Sequence, residues 1–174
     1  PGIEGRSLEA IAIERGLRAT PEDAAEVALD IVARDPAHSG CMCVYHAMSE
    51  EDVTRIMSCA LTSIGSDGWT VNLGSGHPHP RLYGAFPRVL GRYCREKNLF
   101  SLEEAVRKMT SLPASRLGLT DRGILKEGAC ADLVLFDPDT IADLSTFEDP
   151  HHYPAGIDCV IVNATAMHAQ ARAM

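Results

Sequence analysis

The chain has 174 residues, a length that suggests one domain, or one domain with a small appendage. With 45% hydrophobic and 23% charged residues it has the composition of a globular protein, and no apolar run approaches the roughly 20 residues of a spanning helix, so no membrane is expected. The 16 Lys and Arg against 24 Asp and Glu leave a formal charge of −8, which opposes binding to phosphate backbones, so nucleic acid is not an expected partner either.

In chain order, Ser7 to a stop at Gly16 predicts a short helix. Thr20 then supplies an N-cap, Pro21 a first helical position and Asp23 an acidic third one, ahead of Ala24, Val27, Ala28, Ile31 and Val32 at helical spacing. The short apolar run Cys41 to Tyr45 predicts a buried strand. Ser49 with Asp52 opens a helix carrying Val53, Ile56 and Met57, and Leu61 to Ile64 predicts a second strand ending at Gly65. Strand, helix and strand in this order imply a parallel sheet whose active side lies at the C-terminal ends of the strands, just after Tyr45 and Ile64.

From Gly65 to about Gly84 the chain is rich in Gly, Pro and His, a length of loop that is commonly functional. Helical spacing resumes at Val89, Leu90, Tyr93 and Cys94. Ser101 with Glu104 starts a helix bearing Leu102, Ala105, Val106 and Met109, broken at Pro113 and closed by Gly118. From Gly123 the pattern turns to β: Ile124 to Gly128 predicts strand and turn, Asp132 to Phe136 a strand stopped by Asp137-Pro138, and Cys159 to Val162 one more.

Asp67 is the leading candidate for chemistry, a carboxylate beyond a strand end and flanked by glycine, where barrel enzymes keep acid and base groups; a plain turn aspartate is the alternative. His77 and His79 alternate with prolines and either face a metal or stiffen a surface segment. Arg81 either grips a substrate carboxylate bidentately or is solvated. His46 either points into a barrel mouth or is structural. Cys41 and Cys43 share a strand face without a second pair at zinc-site spacing, and all six cysteines are expected to be reduced core thiols. No function is assigned to His151-His152. No charged segment followed by an apolar run precedes the first helix, so a cytoplasmic setting is expected.

Four stretches carry a resemblance. Ile64-Gly65-Ser66-Asp67-Gly68 with His79-Pro80-Arg81-Leu82-Tyr83-Gly84-Ala85-Phe86-Pro87-Arg88-Val89-Leu90-Gly91-Arg92-Tyr93, followed by Ser101 to Ala114 and Gly123 to Val134, closely resembles the N-acyl-D-amino-acid deacylases of the metal-dependent amidohydrolase superfamily. Glu4-Gly5-Arg6-Ser7-Leu8 and Met48 to Val53 fit as well, whereas Ala164 to Met174 lacks the family's closing strand pattern.

The resemblance implies an α/β fold: the C-terminal part of a (β/α)8 TIM-like barrel over residues 1–118, then a segment of a small β-sandwich domain over 119–174. A whole barrel takes about 250 residues, so the resemblance makes this chain the downstream part of an enzyme whose N-terminal half, or else self-association, completes it. It further implies zinc, ligated mainly by upstream residues and with Asp67 as the local candidate ligand, and a small N-acyl amino acid substrate. Asp67 would accept the hydrolytic water's proton and pass it to the leaving amine, with His79 and Arg81 near the substrate. A catalytically incomplete remnant acting as an assembly partner, and a cyclic amidase of the hydantoinase or dihydroorotase type, are the competing readings.

Overall fold

The computed structural model describes residues 2–34 and 43–169. They form two compact units, Pro1–Ala47 and Met48–Met174.

In the first unit, α1 (Leu8–Glu14) and α2 (Pro21–Ala33) stand where the cap signals put them. Ser7 Oγ accepts the Ala10 N–H, and Thr20 Oγ1 accepts that of Asp23, so each cap satisfies an orphan donor of the first turn. Ile11, Ala12 and Val27 are buried between the two helices, with Ile3 and Ile31 packed against them. Arg15 crosses to Asp30 at 2.8 Å.

The second unit starts with α3 (Glu50–Ser58), capped by Ser49. The parallel strand pair expected on either side of α3 is not formed: residues 43–45 and 62–64 are irregular, and Cys41 lies outside the described residues. A strand exists only through its ladder partner, and here the backbone is engaged elsewhere, with the Ile64 N–H donating to the Lys108 carbonyl at 3.0 Å.

Next comes α4 (Arg81–Arg88), which begins well before the expected resumption at Val89. Its interior Pro87 has no N–H for an i to i−4 bond, and the chain beyond it widens into a π-helix over Val89–Glu96. The helices α5 (Leu102–Met109) and α6 (Ser111–Arg116) are parted at Thr110, with φ −129° and ψ −85°, and not at Pro113. Pro113 lies in the first turn of α6, where a missing N–H costs nothing.

The β part is a three-stranded antiparallel sheet in the order β1 (Leu133–Phe136), β2 (Ile157–Val162), β3 (Thr165–Ala169). Val134 pairs with Val160, which in turn pairs with His168. The strand expected at Ile124 is absent, and Leu125 there is 85% exposed. Conversely β3 was not expected. Asn163 and Ala164 both have positive φ, 48° and 61°, the backbone of a tight two-residue hairpin whose twist matches the strands.

The main core joins Val89, Leu90, Ala105 and Ile141, with Met57, Ile64, Phe100 and Phe136 among the side chains packed on it. Two glycines let the helical segment approach the 141–143 stretch: a Cβ on Gly84 would come 2.6 Å from that of Asp143, and one on Gly91 would come 2.5 Å from the Ile141 carbonyl oxygen. Arg95 Nη1 also donates to this carbonyl, at 2.8 Å, and to that of Pro138. Because the obstacle at Gly91 is backbone, Gly91→Ala is expected to destabilise the unit by about 1–3 kcal/mol in urea unfolding; an unchanged midpoint would contradict this packing.

Cys43, Cys59, Cys94, Cys130 and Cys159 are free thiols, but none is a core residue: Cys43 and Cys59 are exposed and the others half-buried. No helix among the described residues is long and apolar enough to cross a membrane.

Candidate active site

Asp67 stands in a turn and not at a strand end. Its φ is +48°, a left-handed conformation that Asp tolerates better than most residues, and the Gly68 N–H closes the turn on Ser66 Oγ at 3.2 Å. Its carboxylate is 83% exposed and meets Arg81 Nη2 at 2.9 Å. Asp67 and Arg81 therefore close the neck of the Gly-, Pro- and His-rich loop, one at each end.

Arg81 is held in turn by His79, whose Nδ1 accepts the Arg81 backbone N–H at 3.0 Å. The His79 ring meets the Phe147 ring edge-on at 5.1 Å. Arg81 Nε is buried and has no hydrogen-bond partner among the described residues. The three residues singled out near substrate are thus brought together in one cluster.

His77 is not part of that cluster; its Nε2 lies 2.5 Å from the Phe147 carbonyl oxygen. His46 is exposed and lies in the other unit.

The residue that sequence reasoning passed over is His151. Its Nε2 lies 3.0 Å from the Gly76 carbonyl, which can only accept, so this nitrogen carries the proton. Nδ1 is then the acceptor for the Gly74 N–H at 3.1 Å and the Tyr83 hydroxyl at 3.0 Å. One imidazole ties the tip of the loop to α4, and Tyr83 packs edge-on against both His151 and Tyr153. A polar His-His pair ahead of Tyr-Pro was the only local signal.

On the other side, the segment leading into Asp67 is gripped by α5 and α6. Lys108 Nζ donates to the carbonyls of Cys59 and Thr62, Arg107 Nη2 to that of Ala60 at 2.8 Å, and Arg116 Nη2 to that of Leu61. The same surroundings hold the Cys59 thiol below its ordinary pKa, chiefly through the Leu61 N–H, then Thr62.

Among the described residues no three His, Cys, Asp or Glu are grouped to hold an ion, so of the zinc site that the resemblance implies this chain offers at most the Asp67 carboxylate. The Asp67 carboxylate and His79 Nδ1 both face Arg81.

The chain belongs to the amidohydrolase family, which matches residues 56–165. It is 47% identical over 163 residues to a D-aminoacylase of Alcaligenes xylosoxydans xylosoxydans, covering 94% of this chain and 31% of that protein. An N-acyl-D-glutamate deacylase of the same organism is 51% identical over 128 residues, 74% of this chain and 26% of the relative.

Among solved structures, a D-aminoacylase described as defining a novel subset of amidohydrolases aligns with TM-score 0.75 and 44% identity, over 93% of this chain and 31% of its own. The N-acyl-D-glutamate deacylase of Bordetella bronchiseptica, complexed with zinc and a phosphonate mimic of the tetrahedral intermediate, aligns with TM-score 0.76 and 40% identity over 97% of this chain and 32% of its own. The chain thus spans about a third of the length of the relatives it matches.

Proposed function

We propose that this chain is the C-terminal portion of a zinc-dependent amidohydrolase that hydrolyses N-acyl-D-amino acids to a carboxylate and a D-amino acid. The observation that carries the reading is the Asp67–Arg81 pair, in a chain 47% identical to a D-aminoacylase over nearly the whole of this chain. Asp67 takes the proton of the attacking water and returns it to the leaving nitrogen. Arg81, steadied by His79, receives the carboxylate of the amino acid on the donors of its fork that Asp67 leaves free.

Residues 1–118 then belong to a (β/α)8 barrel and 119–174 to a small β domain, in a cytoplasmic enzyme. In such a barrel the segments 43–45 and 62–64 find ladder partners in the upstream strands.

In the full protein that carries this chain, incubation with matched N-acyl-D- and N-acyl-L-amino acids and a hydantoin is expected to release amine from the D substrate alone. Opening of the hydantoin without cleavage of the acyl-D-amino acid would assign the chain to the cyclic amidases instead.

A second reading has its own observation: the described residues group no metal donors, and Leu61 and Leu125 are 71% and 85% exposed, as in a piece that requires a partner. A full protein that hydrolyses none of these substrates, while this chain restores activity to a relative lacking the matching third, would favour this assembly role.

A further inference from the structure

We propose that Lys108 is a positioning residue for Asp67, acting through the backbone of residues 59–64; the inference rests on the hydrolytic role assigned above. Lys108 has the largest fully buried side chain among the described residues, 1% exposed, on the core-facing side of α5 next to Ala105 and Met109. Lysine is almost never buried so completely unless its nitrogen is paired, and a methionine there would fill the space with no polar requirement. The partners explain the nitrogen. Nζ donates to the carbonyls of Cys59 at 2.5 Å and Thr62 at 3.1 Å, and the Glu104 carboxylate lies 3.7 Å away.

Lys108 grips the segment a second time, through its own carbonyl, which accepts the Ile64 N–H at 3.0 Å. Side chain and main chain of one residue thus fix the segment at Cys59, Thr62 and Ile64. Only Gly65 and Ser66 separate this last anchor from Asp67, and Gly65 has no atom within 4 Å of where a Cβ would stand, so nothing packed there corrects an error in register. On its far side Asp67 is held by Arg81. Arg107 and Arg116 bind the intervening carbonyls from solvent, where such contacts are weak; Lys108 is the buried anchor.

A base displaced by an ångström loses rate and not substrate affinity. In the full protein, Lys108→Met is expected to lower kcat per folded molecule by about 10–100-fold and leave KM within about twofold, because Arg81 is untouched. Lys126→Met, at an exposed lysine whose Nζ donates to the Thr120 carbonyl, is expected to retain wild-type kcat. Glu104→Gln removes the carboxylate that lies beside Nζ and also binds Arg107 at 2.6 Å, so it loosens both grips on the 59–64 segment without emptying the core, and it is expected to lower kcat in the same direction by about 2–5-fold, which keeps the anchoring of the segment testable if Lys108→Met does not fold.

Wild-type kcat per folded molecule in both Lys108→Met and Glu104→Gln, whatever their melting temperatures, would overturn the proposal. So would a rise in KM equal to the fall in kcat. A wild type that hydrolyses no N-acyl-D-amino acid overturns the functional reading and this inference with it. Loss of activity in Asp67→Asn with none in the two α5 variants overturns this inference alone.

Discussion

Asp67→Asn in the full protein is expected to lower kcat on an N-acyl-D-amino acid by about 10²–10⁴-fold, with KM little changed. Asn keeps the size of the side chain and tolerates the left-handed φ of +48°, so the turn survives. What disappears is the ability to take and return a proton. The substitution also breaks the ion pair with Arg81, but a carboxylate 83% exposed contributes at most about 1 kcal/mol to stability through such a pair. Loss of fold cannot then account for loss of rate, and circular dichroism on the same sample separates the two. A variant keeping more than about a tenth of wild-type kcat would reduce Asp67 to a turn residue.

Arg81→Met is expected to act on the other kinetic constant. A hydrogen bond to a charged group contributes about 1.5–3 kcal/mol, so on the proposal that the Arg81 guanidinium receives the substrate's carboxylate, its removal should raise KM about 10–100-fold. Arg81→Lys should recover little of this, because an ammonium cannot serve Asp67 and a second anion with a planar fork of donors. The decisive comparison uses a substrate whose carboxylate is converted to an amide. Wild type and Arg81→Met should handle it alike, and if the amide still discriminates them, Arg81 does not bind that carboxylate.

The helices were legible in the sequence because their start signals are local. Ser7, Thr20, Ser49 and Ser101 each accept the N–H three residues on, as their spacing required. The strands were legible only where a partner lay nearby, as for β1 and β2, since no residue pattern in 62–64 can disclose that its amide will bond to α5. The start of α4 at Arg81 was obscured by Pro78 and Pro80, which read as loop, although proline fits a helix start well. β3 was hidden for a different reason: Ala164 takes a positive φ that alanine seldom adopts, so Asn163 alone marked the turn. Within the site, Asp67, His79 and Arg81 could each be named from the chain, but their meeting could not. His151 was beyond local reasoning altogether, because its contacts join residues 77, 75 and 68 positions apart.

The ion pair at the loop neck bears on how this region can change over evolutionary time. With Asp67 and Arg81 joined at 2.9 Å, residues 68–80 form a loop whose ends lie side by side. The entropy of closing such a chain grows only as the logarithm of its length, so doubling it would cost about 0.6 kcal/mol. Insertions and deletions between Trp69 and Gly74, ahead of the His151 anchor, are therefore nearly free of thermodynamic penalty and leave the charged pair in register. This stretch is where a lineage can vary length and side chains most cheaply while Asp67 stays in place.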